Sequence, residues 1–351
     1  MKGVLAFRDE YLRIAFTPLS LRDVWSGRVR VLMTLVRGLG LEEWLRIEKP
    51  EPASRDDLLL VHDEEYIDYV ERMGRIGRGY LDYGDTPAYP GVYEDALLAV
   101  GGTVLCVREV LRESSKVCFN PQGGFHHARR SSAAGFCVFN DVALAAVLLR
   151  DAGRRVAVVD VDGHHGDGTQ EILYSDPILK ISTHMYAPGF YPGTGYVDEL
   201  GEGEGYGYSV NVPLPPRTGD DAFAYVLGEV IEPLLSAYRP DVVVLQCGAD
   251  SHSGDPLVGL ELTTLSYLSL AKMLREKAES FVVLAGGGYQ ADVAPRVWLT
   301  AVLTLMGAPD DVVAKLRDPK EGTKTSEAAF SLLRRRVSEL KKALEPIHGP
   351  L

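Results

Sequence analysis

Short, apolar, often β-branched runs alternate with longer helical patterns along most of the chain. The runs are Val4–Phe7, Leu58–His62, Val117–Asn120, Val156–Asp162, Ile178–Thr183, Val210–Pro213, Val242–Cys247 and Phe281–Ala285. Several are almost wholly apolar, as strands covered on both faces must be. Between them, helical patterns run over Gly91–Arg112, Asn140–Asp151, Asp220–Tyr238, Leu262–Glu279 and Val293–Met306. This alternation predicts an α/β fold, a parallel sheet with helices on both faces. No internal repeat and no Ser- or Gly-rich linker divides the chain, so residues 1–351 read as one domain. Near the C-terminus Phe330, Leu333, Val337, Leu340 and Leu344 form one apolar stripe on a helix of about 326–345. Arg334, Arg335, Arg336, Lys341 and Lys342 cover much of its other face. Such a helix either docks on the body or makes a contact between copies.

Composition narrows the class. The 351 residues are 46% apolar and 25% charged, which excludes disorder and low complexity. The longest apolar run, Val142–Leu149, has eight residues. A membrane span needs roughly 20, so none is expected. Arg8, Asp9 and Glu10 break the N-terminal apolar patch, so no signal peptide is expected and the chain reads as cytoplasmic. A net charge of −12 disfavours direct nucleic-acid binding. Cys106, Cys118, Cys137 and Cys247 form no CxxC pair and read as reduced, buried thiols.

The candidate chemistry follows the strands. In parallel α/β sheets, ligands bind beyond the carboxyl ends of the strands. The segments there are Asn120-Pro-Gln-Gly-Gly-Phe-His-His127, Asp160-Val-Asp-Gly-His-His-Gly-Asp167, Gln246-Cys-Gly-Ala-Asp250 and Ala285-Gly-Gly-Gly-Tyr289. In an extended chain residues i and i+2 point the same way, so Asp162 and His164 can share a metal. Asp250 is the best candidate for a third ligand. Two carboxylates and an imidazole suit zinc with an open position for catalysis; the competing reading is a solvated acidic loop. His126 and His127 follow Gly-Gly, and Asp160 and Asp167 are nearby acids that can each orient one imidazole. Tyr289, displayed after three glycines, can donate its hydroxyl to an oxyanion. Tyr191 and Phe136 can wall an apolar slot, although ordinary loop packing explains them as well.

Taken together, the motifs GGFHHA, GFCVFND, VDVDGHHGDGT, PGFYPGTG, QCGAD and GGGY, in that order between residues 120 and 289, resemble the histone deacetylase superfamily. The stretch Gly84–Tyr93 resembles its prokaryotic acetoin-utilisation branch, close to class I. The resemblance implies the arginase-like fold: one three-layer α/β/α domain with a mostly parallel eight-stranded sheet. It implies zinc (or ferrous iron) on Asp162, His164 and Asp250. It implies catalysis by His126 and His127, with His127 the base, Asp160 and Asp167 as their partners, and Tyr289 on the carbonyl. Asp85, Gly135, Phe136, Tyr191 and Gly287 would bind substrate, and Arg28 would line an acetate exit. Asp160, Asp162 and His164 carbonyls with Ser182 would hold a structural potassium ion. The family usually has Phe where Tyr191 stands.

The implied reaction is hydrolysis of N-acetyl-lysine in proteins. The alternative is an acetylpolyamine amidohydrolase, to which acidic Asp198, Glu199, Glu202 and Glu204 would lend an attractive mouth. A two-manganese ureohydrolase would need further bridging carboxylates. A binding module without catalysis would have lost a ligand, a histidine or Tyr289. The expected partners are acetylated proteins or polyamines, with no membrane and a possible homo-oligomer.

Overall fold

The structure, a computed structural model, describes residues 2–349. Eight strands form one sheet: β1 (Gly3–Ala6), β2 (Leu45–Glu48), β3 (Val117–Asn120), β4 (Val156–Asp160), β5 (Leu179–Met185), β6 (Ser209–Leu214), β7 (Val242–Gln246) and β8 (Ser280–Leu284). Their order is β2-β1-β3-β8-β7-β4-β5-β6, and every pairing is parallel. Parallel neighbours need long crossovers. Helices supply them: α1 (Leu19–Gly38), α2 (Arg55–Leu59), α3 (Glu64–Ile76), α4 (Val92–Leu111), α5 (Asp141–Asp151), α6 (Asp167–Ile172), α7 (Asp220–Val226), α8 (Glu232–Tyr238) and α9 (Thr264–Arg275); α10 (Ala294–Leu305), α11 (Asp310–Val313) and α12 (Glu327–His348) follow the last strand. A π-helical turn, Leu227–Ile231, joins α7 to α8, so the predicted helix Asp220–Tyr238 is one continuous coil with a bulge.

Strand periodicity divides the core in two. Ala157, Val159, Val243, Leu245, Phe281 and Val283 enter one apolar cluster. Val156, Val158, Val242, Val244, Val282 and Leu284 enter the other. Successive residues face opposite layers, so the central strands are apolar throughout and ended by a polar residue such as Asp160 or Gln246.

Two elements differ from the sequence reading. The run Leu58–His62 is not a strand. Ser54 and Asp57 form a capping box that starts α2, and Leu59 and Leu60 are exposed. The missing strand is β2, whose Leu-Arg-Ile-Glu alternates in polarity because it lies at the sheet edge, with Leu45 buried and Ile47 exposed. The sheet is also wholly, not mostly, parallel.

The C-terminal helix docks on the body. Leu333, Val337, Leu340 and Leu344 are buried in the same cluster as Val210, Val212 and Leu214 of the edge strand β6. Arg336 Nη1 donates to the Pro213 carbonyl (2.9 Å), and Lys341 pairs with Glu229 (2.9 Å). All four cysteines are buried and free. Among the described residues no helix is long and apolar enough to cross a membrane.

Candidate active site

Because all strands run the same way, the segments after β3, β4, β5, β7 and β8 meet at one rim. There Asp162, His164 and Asp250 present one ligand atom each, all within 4.8 Å of one another. His164 Nδ1 lies 2.9 Å from Asp250 Oδ2 and 3.3 Å from Asp162 Oδ1. Burial alone would strip the proton from His164, but the two carboxylates outweigh it and hold its pKa up at about 10. Burial raises the Asp250 carboxyl to about 7, with Asp162 adding to the effect. Two buried carboxylates sharing one imidazole form a donor set that demands a cation and fits a divalent metal. Backbone completes the cradle. The Gly287 N–H donates to Asp162 Oδ2 (2.8 Å) and the Gly163 N–H to Asp250 Oδ1 (2.7 Å). A Cβ on Gly287 would lie 2.4 Å from Asp250 Oδ2, so no side chain fits there.

Each histidine of the pair has its own acid. His126 Nδ1 lies 2.7 Å from Asp160 Oδ2, and His127 Nδ1 lies 2.7 Å from Asp167 Oδ1. The pairs differ in charge. Burial disfavours the His126 imidazolium, but Asp160 and Asp162 prevail and hold its pKa near 9. Burial and the neighbouring His126 push His127 down to about 4 against the pull of Asp167. His127 is therefore the neutral ring with a free lone pair at Nε2, and His126 the charged one. Asp167 stays ionised: its buried carboxylate is held well below the usual range by His127 and Arg129.

Phe136 packs against Tyr289 (ring centroids 6.1 Å), and Tyr191 packs against His127 (5.0 Å) and His164 (6.2 Å). Gly135, at φ +53°, leaves the gap between them: a Cβ there would lie 2.5 Å from His127 Cδ2 and 3.1 Å from the Tyr191 hydroxyl. Phe136 itself holds a left-handed φ of +65°, a cost of the kind found at functional sites. Its N–H is fixed by the Thr86 hydroxyl (3.0 Å). Burial, Asp250 and Asp162 raise the Tyr289 hydroxyl well above its usual pKa, so it remains a donor. Outside the slot a cavity of about 580 Å³ is lined by Asp82, Asp85, Arg129, Gly135 and Tyr191, among others. Asp85, beside Asp82, is raised by burial to about 6. Arg28 is fully buried behind the Gly-Gly-Gly turn. Its Nη1 donates to the Gly286 and Gly288 carbonyls (3.0 and 2.9 Å), and the guanidinium lies 3.7 Å over Trp25.

The far part of the acidic loop does not reach this mouth. Glu199 accepts from the Gly195 and Tyr196 N–H groups, and Glu202 from the Ser175 hydroxyl. The Glu202 N–H donates to the Tyr174 carbonyl, on the turn leading into β5. Glu202 and Glu204 therefore lie at the amino end of the strands, away from the cluster. Of the expected potassium set, Asp160 and Ser182 line a small cavity of about 20 Å³, together with His165, Gln170, Lys180 and Asn211.

Several contributors escaped the sequence reading. Arg129 donates to Asp167 Oδ2 (2.7 Å) while His127 uses Oδ1. Gln246 donates to Asp162 Oδ2 (3.1 Å). Asp255 accepts from the Tyr289 N–H (2.7 Å). Arg129 and Gln246 stand beside or inside a quoted motif and Asp255 beyond one, and only the folded chain shows what each touches. His165 and His184 anchor the loop that carries Tyr191: His165 Nδ1 lies 2.9 Å from Thr194 Oγ1, and His184 Nε2 2.8 Å from the Gly195 carbonyl.

Residues 25–305 match the histone deacetylase domain. The chain is 36% identical over 328 residues to a probable deacetylase of Archaeoglobus fulgidus, covering 90% of this chain and 89% of that protein. It is 32% identical over 286 residues to histone deacetylase 8 of Xenopus tropicalis (79% and 78%). It is 34% identical over 284 residues to histone deacetylase HDAC1 of Drosophila melanogaster (77% and 54%). The crystal structure of the HDA15 HD domain superimposes with a TM-score of 0.86 at 28% identity, covering 99% of this chain and 97% of that one.

Proposed function

The chain belongs to the histone deacetylase family, and from that premise we propose that it hydrolyses the acetyl amide of N-acetyl-lysine side chains in proteins, giving free lysine and acetate. One observation carries the reading: a neutral His127, oriented by Asp167, stands beside the Asp162–His164–Asp250 cluster and a protonated Tyr289. A zinc or ferrous ion on those three ligands would polarise the acetyl carbonyl and acidify water.

The protein's own groups account for the rest. Phe136 and Tyr191 guide an aliphatic stem past Gly135, and Asp85 at the mouth accepts donors from the substrate backbone. His127 takes the proton of the attacking water at Nε2, while Asp167 keeps Nδ1–H fixed and steadies the imidazolium that forms. The His126 imidazolium, paired with Asp160, adds positive charge where the carbonyl oxygen turns anionic. The Tyr289 hydroxyl donates to that oxygen as its charge grows. The leaving amine collects its proton from an imidazolium. Acetate is drawn toward the buried Arg28. A potassium ion beside Asp160 and Ser182 would stiffen the strand end from which Asp162 projects.

Acetate release tests the reading. Metal-loaded protein is assayed on an acetyl-lysine peptide, N-acetylputrescine and N-acetylspermidine, with a chelator control. Chelator-sensitive turnover of the peptide is expected. Turnover mainly of the polyamines would move the function to small-molecule metabolism. No turnover of any of them would overturn the reading.

A further inference from the structure

Lys180, on β5, is a buried lysine that forms no ion pair with a carboxylate among the described residues; it is 5% exposed. Its Nζ lies 2.7 Å from the Leu173 carbonyl, 3.1 Å from that of Ile178 and 3.3 Å from that of Asp176. Among the described residues three acceptors and no donor surround the nitrogen. An ammonium supplies three hydrogens and satisfies all three, whereas a neutral amine supplies two and leaves one carbonyl bare. Burial pulls the Lys180 pKa down to about 7 against the charge of Asp176, while the three carbonyl acceptors favour the form with three hydrogens.

The three carbonyls belong to the turn that ends α6. Leu173 is the C-terminal cap of that helix, where carbonyls lack partners in the helix itself. The first residue of α6 is Asp167, which orients His127. The helix also clasps the histidine segment directly: the Thr169 N–H donates to the His126 carbonyl (2.9 Å), and a Cβ on Gly168 would lie 2.3 Å from the Ala128 carbonyl. With only six residues, α6 cannot hold its own shape. It is clamped at one end by the catalytic segment and at the other by Lys180.

We propose that the Lys180 ammonium is a tethered cation in a carbonyl cage that takes small monovalent cations of ammonium type, and that it is a positioning residue which, through α6, sets Asp167 and His127. The inference concerns local order and stands whether or not the deacetylase reading does.

Two variants test it by amide hydrogen exchange, a readout independent of turnover. Lys180→Ala empties the cage, and exchange across 167–178 should rise by at least ~10-fold, the loss expected for a set of charge-assisted hydrogen bonds. Ammonium or methylammonium chloride should restore protection, and tetramethylammonium chloride at equal ionic strength should not. Lys180→Met fills the space without the charge, so it should lose protection in 167–178 alone and resist rescue. Unchanged exchange in either variant, or equal rescue by tetramethylammonium, would overturn the proposal. Should Lys180→Ala not fold, the Lys180→Met exchange pattern decides alone.

Discussion

Asp167 serves two donors at once, a neutral imidazole and a guanidinium, and that division sets the chemistry of His127. Oδ1 holds the imidazole and Oδ2 the Arg129 guanidinium, so the carboxylate stays ionised and cannot retain the proton that His127 acquires. Tyr289 works differently, through a hydroxyl that stays protonated. Tyr289→Phe should lower kcat by about 10²–10³-fold with metal content unchanged, measured by acetate release beside elemental analysis. Full activity would remove Tyr289 from the mechanism. His62 offers a test that involves no substrate. Its Nδ1 donates to the Arg129 carbonyl (2.9 Å) and its Nε2 accepts from the Asn140 N–H (2.9 Å), so it is neutral, and burial lowers its pKa to about 4. The unfolded chain binds this proton from ~6.5 downward. Stability should therefore fall as pH drops from ~6.5 to about 4 and level off below, by roughly 3 kcal/mol in total. Urea unfolding of His62→Gln across that window should show a shallower slope.

At the scale of elements, the legible parts were those with one unambiguous period. The central strands read clearly because both faces are buried, and α12 read clearly because its stripe repeats for five positions. The edge strand β2 did not, since four residues alternating in polarity carry little signal. The Leu58–His62 run misled because a short apolar run looks alike in helix and strand, and only the Ser54–Asp57 box decides. The ligand cluster and both His–Asp pairs lie in motifs that directly follow strands, so the residues were readable. The occupation of Glu199 and Glu202 by internal bonds was not, because it depends on where the loop folds back. The docking of α12 has a consequence of its own. Leu340 is fully buried against β6, so Leu340→Ala should cost about 2–5 kcal/mol in chemical denaturation. A chain ending before Ser326 would bare the β6 edge and should aggregate, as light scattering would show.

For the molecule as a whole, the ligand cluster trades stability for readiness. Without metal, two buried carboxylates and an imidazole within 4.8 Å of one another are compensated by a proton and a few N–H donors, with no full countercharge for both acids. A bound divalent ion should therefore stabilise the fold, by about 2.7 kcal/mol at a free concentration of 100 Kd. Calorimetric scans with and without chelator check this, and an unshifted Tm would contradict the assignment of ligands.

An all-parallel sheet also gives the molecule a working end and an idle end. The turn between α5 and β4 lies at the idle one. Gly153 there, at φ +80°, has no neighbour within 4 Å of where a side chain would project. A peptide handle spliced in between Gly153 and Arg154 would thus sit a full strand length from the chemistry. The protein could be tethered to a surface or labelled with a fluorophore by that point, its mouth left facing outward to whatever it meets.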